Sequence, residues 1–489
     1  MSVKMLALAD VIQGLTGNRP GSLEQSISRT VIDSRQVEPG ALFVALEGER
    51  VDGHDYVADA FSQGAVAAMV ERDVSVEGMK LNLTDPDQTL PTAWSLPLVI
   101  TVADSLQALQ QVASFWRRQH DVRVVGITGS VGKTTTKELA TAVLARRYVT
   151  LKSEASYNNE IGLPLTLLHL TDEHERVVLE MGMYDVGEIS DLARMALPHV
   201  GVVTIIGPVH LERAGTLERI VKAKTELVEA LPPAPEGVAI LNYDDERVRG
   251  MAQATKARVF TYGLSSEADL WADHIEGLGL KGIRFQLHYG LETLHVKIPL
   301  LGQHSVHTAL RATAVGLVEG LTWQEIIEGL RGPSAQLRLV AVPGPEGAII
   351  LDDTYNASPA STNAALNLLD ELDGRKIAVL GDMLELGDYE QEGHEKVGMR
   401  ALEVADILIT VGPRGRIIGE AALRWGMPAD RVHIVEEGAE AVALLAQMVT
   451  GDDVILVKGS RAMQMEDIVN ALQLLPSAPG DLGGAWNSR

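Results

Sequence analysis

Apolar and polar positions alternate with two different periods along the 489-residue chain. Between the N-terminal hundred residues and Pro333, short apolar runs recur at Val177-Val178-Leu179, across 200–206 and across 237–241, each separated by a stretch with helical periodicity. Runs of that length spaced by helices predict a parallel sheet wrapped by helices. Residues 104–119 read as a helix that leads into the apolar run at 124–128. The stretch 271–300 follows another rule. Strict alternation in Ile283-Arg284-Phe285-Gln286-Leu287-His288 and in Leu294-His295-Val296-Lys297-Ile298 predicts an antiparallel hairpin appended to that sheet.

Breaks in the pattern suggest three α/β domains. A small N-terminal unit spans residues 1–99, and its polar, proline-dotted stretch 83–97 reads as a linker. A central parallel-sheet unit spans 100–332, ending near Arg331-Gly332-Pro333. From 333 to 489, strands return at 348–351, 376–380, 407–411, 431–435 and 454–457, which predicts a Rossmann-like doubly wound unit. No G-x-G-x-x-G follows its first strand, so a dinucleotide site is not expected there. The Gly, Pro and Ser content of 476–489 reads as a disordered tail.

Composition narrows the function classes. A net charge of −24 argues against a nucleic-acid binder, which needs a clustered positive surface. With no cysteine there are no disulfides, thiolate metal sites or cysteine nucleophiles. The first residues carry an acid early and lack the layout of a secretory signal, and no apolar run approaches the ~20 residues of a membrane span. A soluble cytoplasmic protein is expected.

Chemistry concentrates at the carboxyl ends of the strands. The run Val124-Val125-Gly126-Ile127-Thr128-Gly129-Ser130-Val131-Gly132-Lys133-Thr134-Thr135-Thr136 reads as strand, glycine turn and helix start, the layout that gathers backbone N–H groups around phosphates. Lys133 then reaches the β/γ-phosphates and Thr134 a Mg²⁺ ion. The spacing departs from the strict phosphate-loop rule, because Ile127 stands where a glycine is required and Gly126 precedes it. Glu180 ends the strand at 177–179 and His210 follows that at 200–206, so both share the sheet edge of Lys133 and suit a divalent cation. Lys222 and Lys224 fall on a helix over 217–231 and, by themselves, read as solvated. Asp352-Asp353-Thr354-Tyr355-Asn356 and Lys458-Gly459-Ser460-Arg461 form an acidic and a basic rim of the last domain. Two classes remain open on this basis: an ATP-dependent ligase or kinase, and a nucleotide switch whose last domain binds a partner.

Taken together, these motifs resemble the Mur ligase family of peptidoglycan precursor synthesis, over nearly the whole chain. The resemblance rests on Thr128 to Glu138, on Asp33-Ser34-Arg35 with Asp52-Gly53-His54, and on Tyr157-Asn158-Asn159-Glu160-Ile161-Gly162-Leu163-Pro164. It continues through Glu180-Met181-Gly182, His210-Leu211-Glu212 with Lys222-Ala223-Lys224, Gly381-Asp382-Met383-Leu384-Glu385 and Lys458-Gly459-Ser460-Arg461. It implies ATP and two Mg²⁺ ions, with Thr134, Glu180, His210 and a carbamylated Lys224 on the metals. Thr128, Gly129, Ser130, Val131, Gly132, Lys133, Thr135 and Asn159 would surround the nucleotide, and Arg338 and Asp353 would reach it from the last domain. Ser34 and Arg35 would face a UDP group, and Asn356, Asp382 and Lys458 the acceptor. The implied reaction is that of the members adding D-alanyl-D-alanine to UDP-N-acetylmuramoyl-tripeptide through an acyl-phosphate, by a cytoplasmic monomer. Sister ligases adding the third amino acid, and folate polyglutamate synthases, are the neighbouring alternatives. The chain departs from the family pattern at Ser305 and Thr308, where asparagines that contact adenine are usual, at Leu337 before Arg338, and at Ser358.

Overall fold

The computed structural model describes residues 3–48, 51–85, 89–154, 157–208, 211–332 and 339–475. Three sheets carry the chain. The first is all parallel, in the order Thr30–Val31, Leu42–Val44, Ala67–Val70, Leu98–Thr101, Met79–Asn82. The second has nine strands with Arg123–Thr128 inside it, flanked by Arg176–Glu180 on one side and Val200–Val203 on the other. Its far edge is the expected hairpin, Ile283–Tyr289 paired antiparallel with Glu292–Ile298, which joins the sheet through Leu270–Gly277. The third sheet has six strands, with Ile349–Asp353, Asp453–Lys458, Arg375–Gly381, Ile407–Val411 and Val432–Val435 parallel and Val340–Pro343 antiparallel at the edge. This is the three-domain α/β architecture, two parallel-sheet units followed by a Rossmann-like one.

One expectation needs correction. The polar stretch 83–97 is not a link between domains, and a boundary at 99/100 cuts a strand. Leu98–Thr101 lies in the first sheet and pairs with both Ala67–Val70 and Met79–Asn82. The apolar run Leu98-Val99-Ile100 is buried, and that burial outweighs the turn-like composition before it. The expected tail at 476–489 lies outside the described residues.

The helix Ser105–Arg117 joins the first two units. Asp104 caps its start, Oδ1 accepting from the Gln107 N–H at 2.8 Å. Its Ala108, Leu109, Val112 and Trp116, at helical spacing, are buried in a core that also contains Leu8 and Ile12 of the first helix and Leu179 and Met181 of the central domain. The N-terminal and central domains therefore share one apolar core. The third domain has its own, around Leu351, Leu366, Leu380 and Leu456 on one sheet face and Ile377, Val379 and Ile455 on the other. Only partly buried residues such as Leu280 and Leu301 reach it from the central domain.

Candidate active site

The glycine turn after Arg123–Thr128 is shaped by close backbone approach. Gly129 has φ 142°, and a Cβ there would stand 1.8 Å from Thr204 Oγ1. Thr204 in turn donates that hydroxyl to the Val131 carbonyl at 2.6 Å, and Ser130 exchanges hydrogen bonds with Gly207. Gly132, at φ 85°, opens the helix Lys133–Leu144, whose N-terminus no side chain caps. An uncapped first turn with its positive dipole end is an anion site. Lys133 folds over the turn and donates to the Gly129 carbonyl at 2.8 Å. The shift from strict spacing has a packing cause. Gly126 lies inside the strand, where a Cβ would meet Leu227 at 3.0 Å, so that glycine admits the helix Leu217–Glu229 rather than a phosphate.

The same helix delivers Lys224 to the turn. Its side chain is 1% exposed, and no hydrogen bond or ion pair holds it among the described residues. Burial, reinforced by the nearby Lys133 charge, pushes its ammonium pKa well below the usual value. Glu180, equally buried, ends its strand facing the turn: Thr134 donates to Oε2 at 2.6 Å and Asn158 Nδ2 to Oε1 at 2.9 Å. Lys133, Lys224, Asn158 and Asn159 line the inner end of a cleft of about 850 Å³, which runs outward along the helices Ser105–Arg117 and Glu188–Ala196 past Tyr184 to Arg118. Phosphate binding, a carboxylate–hydroxyl pair fit for a hard cation and a neutral-prone amine thus meet at the end of one channel.

The third domain comes near the central one at His304. Lys458, buried, pairs with Asp353 at 2.6 Å and donates to the Asn356 carbonyl at 2.8 Å. His304 of the central domain is held below its usual imidazole pKa by burial, with Asp353 opposing and Lys458 and Arg311 reinforcing the shift. Charges of both domains therefore act on one imidazole ring.

Three family models match the chain: the Mur ligase family catalytic domain over residues 26–117, the Mur ligase middle domain over 127–316 and the Mur ligase glutamate ligase domain over 337–461. A curated UDP-N-acetylmuramoyl-tripeptide--D-alanyl-D-alanine ligase of Bacillus subtilis is 36% identical over 95% of the chain and 97% of its own length. The chain belongs to the Mur ligase family. Among solved structures, MurF from Acinetobacter baumannii superposes with a TM-score of 0.81 at 31% identity, covering 97% of this chain and 99% of that one. A Thermotoga maritima MurF in complex with ADP gives 0.73 at 28% identity, covering 91% and 97%.

Within the Mur ligase framework, the expected residues do not all come together. Thr128, Gly129, Ser130, Val131, Gly132, Lys133, Thr134, Thr135, Glu180 and Lys224 are gathered around one turn, and Asn159 lines the cleft while accepting from the Gly162 N–H at 2.9 Å. Ser34 and Arg35 stand apart on a short turn of the first domain, where Arg35 is exposed and bonded to Asp33. His210 and Arg338 lie outside the described residues. Asp382 is buried and engaged within its own domain. Its buried Oδ1 accepts from the Arg414 and Gly415 N–H groups at 2.9 and 2.8 Å, which seats the start of the helix Gly415–Arg424. The departures from the Mur ligase pattern are likewise occupied: Ser305 donates to the Leu301 carbonyl, Thr308 accepts from Arg311, and Ser358 caps the helix Pro359–Asp370. Sequence reading missed Asn158 as the partner of Glu180, Thr204 as the brace of the turn, and Arg311. Asn158 stood beside the residue that was chosen, but Thr204 and Arg311 carry no local signal.

Proposed function

We propose that this chain is the ATP-dependent amide ligase that adds D-alanyl-D-alanine to UDP-N-acetylmuramoyl-tripeptide in peptidoglycan precursor synthesis. The similarity over 95% of the chain to a ligase of that name carries the reading, and the phosphate turn at the head of the cleft supports it. A carboxylate is a poor electrophile. An oxygen of the tripeptide's terminal carboxylate attacks the γ-phosphorus of ATP, the bond to the β-phosphate oxygen breaks and ADP leaves. The free amine of the dipeptide then attacks the acyl carbon of the acyl-phosphate, the amide bond forms, phosphate leaves and the nitrogen gives up a proton. Lys133, together with Thr128 to Thr135, would hold the transferring phosphate. Arg338 and Asp353 would contact the nucleotide from the third domain, Ser34 and Arg35 the UDP group, and Asn356 and Lys458 the entering dipeptide.

The residues fit Mg²⁺. Thr134 and Glu180 offer hard oxygen donors 2.6 Å apart, the type this cation prefers. No group of three or more His, Asp or Glu stands together among the described residues; water and substrate phosphates commonly fill the other positions on Mg²⁺, and a further anionic side chain would add charge to the site. Lys224 suits that role as a carbamate: its neutral amine adds to CO₂, a C–N bond forms and one proton leaves. With His210, that completes the proposed ligand set. The ion would neutralise charge that builds on the transferring phosphate. No helix among the described residues is long and apolar enough to cross a membrane; the proposed reaction, with its nucleotide substrates, is that of a cytoplasmic enzyme.

Phosphate release from ATP with UDP-N-acetylmuramoyl-tripeptide, measured with and without D-alanyl-D-alanine, tests the reading. Release that needs both, with a product heavier by the dipeptide, is the expected result. Release with a single amino acid instead would move the chain to a sister ligase, and acceptor-independent hydrolysis would point to a switch.

A further inference from the structure

The flank of the phosphate turn carries a buried cation that the reaction above does not use. Arg311 sits on the helix Val306–Val318, which packs along the helix Lys133–Leu144. It is 5% exposed. Its Nε donates to Thr136 Oγ1 at 2.7 Å and its Nη2 to Thr308 Oγ1 at 2.8 Å, while its guanidinium stands 5.9 Å from the centre of the Tyr262 ring. Nη2 also lies 2.9 Å from where a Cβ on Gly132 would be, so the fork closes directly on the backbone of the turn. No carboxylate pairs with it among the described residues. Asp244 and Asp245, the acids that act on the same Tyr262, instead hold backbone N–H groups: Asp244 accepts from Leu264 and Ser265 and stands 4.0 Å from His307, and Asp245 accepts from Ile206, Arg247 and Val248.

Two hydroxyls and an aromatic ring satisfy some of the guanidinium donors but leave its charge uncompensated. A buried charge without a counter-ion is costly, and a side chain needed only to brace two helices has no use for one. Lys133 and the uncapped helix start add positive potential on the same side. The missing partner is therefore an anion that arrives at the turn, and a planar fork is the side chain best matched to phosphate oxygens.

Resting on the reading of this turn as a nucleotide site, we infer that Arg311 is a phosphate-binding residue of that site, gripping the polyphosphate from the flank marked by Gly132 and Thr136. It reads phosphate charge and not the base, so ADP and inorganic triphosphate should depend on it alike.

Calorimetric titration of ADP and of inorganic triphosphate into the full chain and into Arg311→Gln, each with its melting temperature, tests this. Both affinities should weaken about 10- to 100-fold, as for the loss of a charge-assisted hydrogen bond to phosphate, while the ligand-free melting temperature holds or rises because a buried charge is gone. Affinities within twofold of the parent overturn the inference and leave Arg311 a strut between helices. Should Arg311→Gln not fold, the ¹⁵N resonances of the Arg311 guanidinium in the parent chain decide. They should shift with triphosphate and not with adenosine, and a triphosphate titration that leaves them unmoved overturns the assignment. A parent that binds neither ADP nor triphosphate overturns the nucleotide reading itself. A parent that binds both as well as Arg311→Gln does overturns only the role of Arg311.

Discussion

Lys224 shows how one side chain changes meaning with its surroundings. On a helix it reads as a solvated cation, yet it is buried beside Lys133 with no acid among the described residues to pair it. Lys224→Ala should abolish ligation, and a short carboxylate such as acetate or propionate should restore a measurable part of it by replacing the carbamate oxygens. A rate that no added carboxylate lifts, in a variant that still binds ADP, would count against the carbamate. His307 tests the local field differently. Burial, with Arg311 and His304 reinforcing and Asp244 opposing, holds its imidazole at about 4, against 6.5 when free. The unfolded chain therefore binds the proton first, so stability is intact above pH ~6.5 and is lost as pH falls toward 4. At ~1.4 kcal/mol per pKa unit this amounts to about 1–3 kcal/mol, allowing for partial exposure of the ring. The midpoint of urea unfolding in His307→Asn should vary less between pH 4 and 7 than that of the parent, and parallel curves would refute the role.

At the scale of elements, helix starts carry much of the site, and they do so in two opposite ways. The helix Lys133–Leu144 begins without a side-chain cap and so keeps its first turn for an anion, whereas Gly415–Arg424 has its start filled by Asp382. Asp382→Ala should accordingly cost about 0.5–2 kcal/mol of stability, the usual range for a lost cap, and lower the melting temperature. The KM for D-alanyl-D-alanine should change little by comparison. A large rise in that KM at an unchanged melting temperature would return Asp382 to the acceptor site. Periodicity identified the strands and the hairpin at 283–298 because single buried faces impose period two or short apolar runs. Composition misjudged 83–97, since it reports turns but not whether the chain re-enters the same sheet.

The whole molecule divides unequally. The first two domains share a core through the helix Ser105–Arg117, while the third keeps its own and meets the central domain through smaller contacts. One is the approach of Gly387 to Glu212, where a Cβ on the glycine would stand 3.0 Å from the backbone nitrogen. Closure around substrates should therefore be a movement of the third domain against a rigid pair. Small-angle scattering with an ATP analogue and the UDP substrate together should show a smaller radius of gyration than either alone. Equal radii in all states would argue for a preformed site.

By itself the sequence determined the order of the domains, the phosphate turn with Lys133 and Thr134, and the carboxylate Glu180 at a strand end. Each of these depends on neighbours a few residues away: a glycine turn, a helix start, the register of a strand. Only the tertiary structure decided that Gly126 makes room for a helix, that Lys224 is buried, that Asp382 is a cap and that Arg311 closes on the turn from a helix some 180 residues further along. Burial and charge pairing are sums over groups distant in the chain, and no local pattern encodes them.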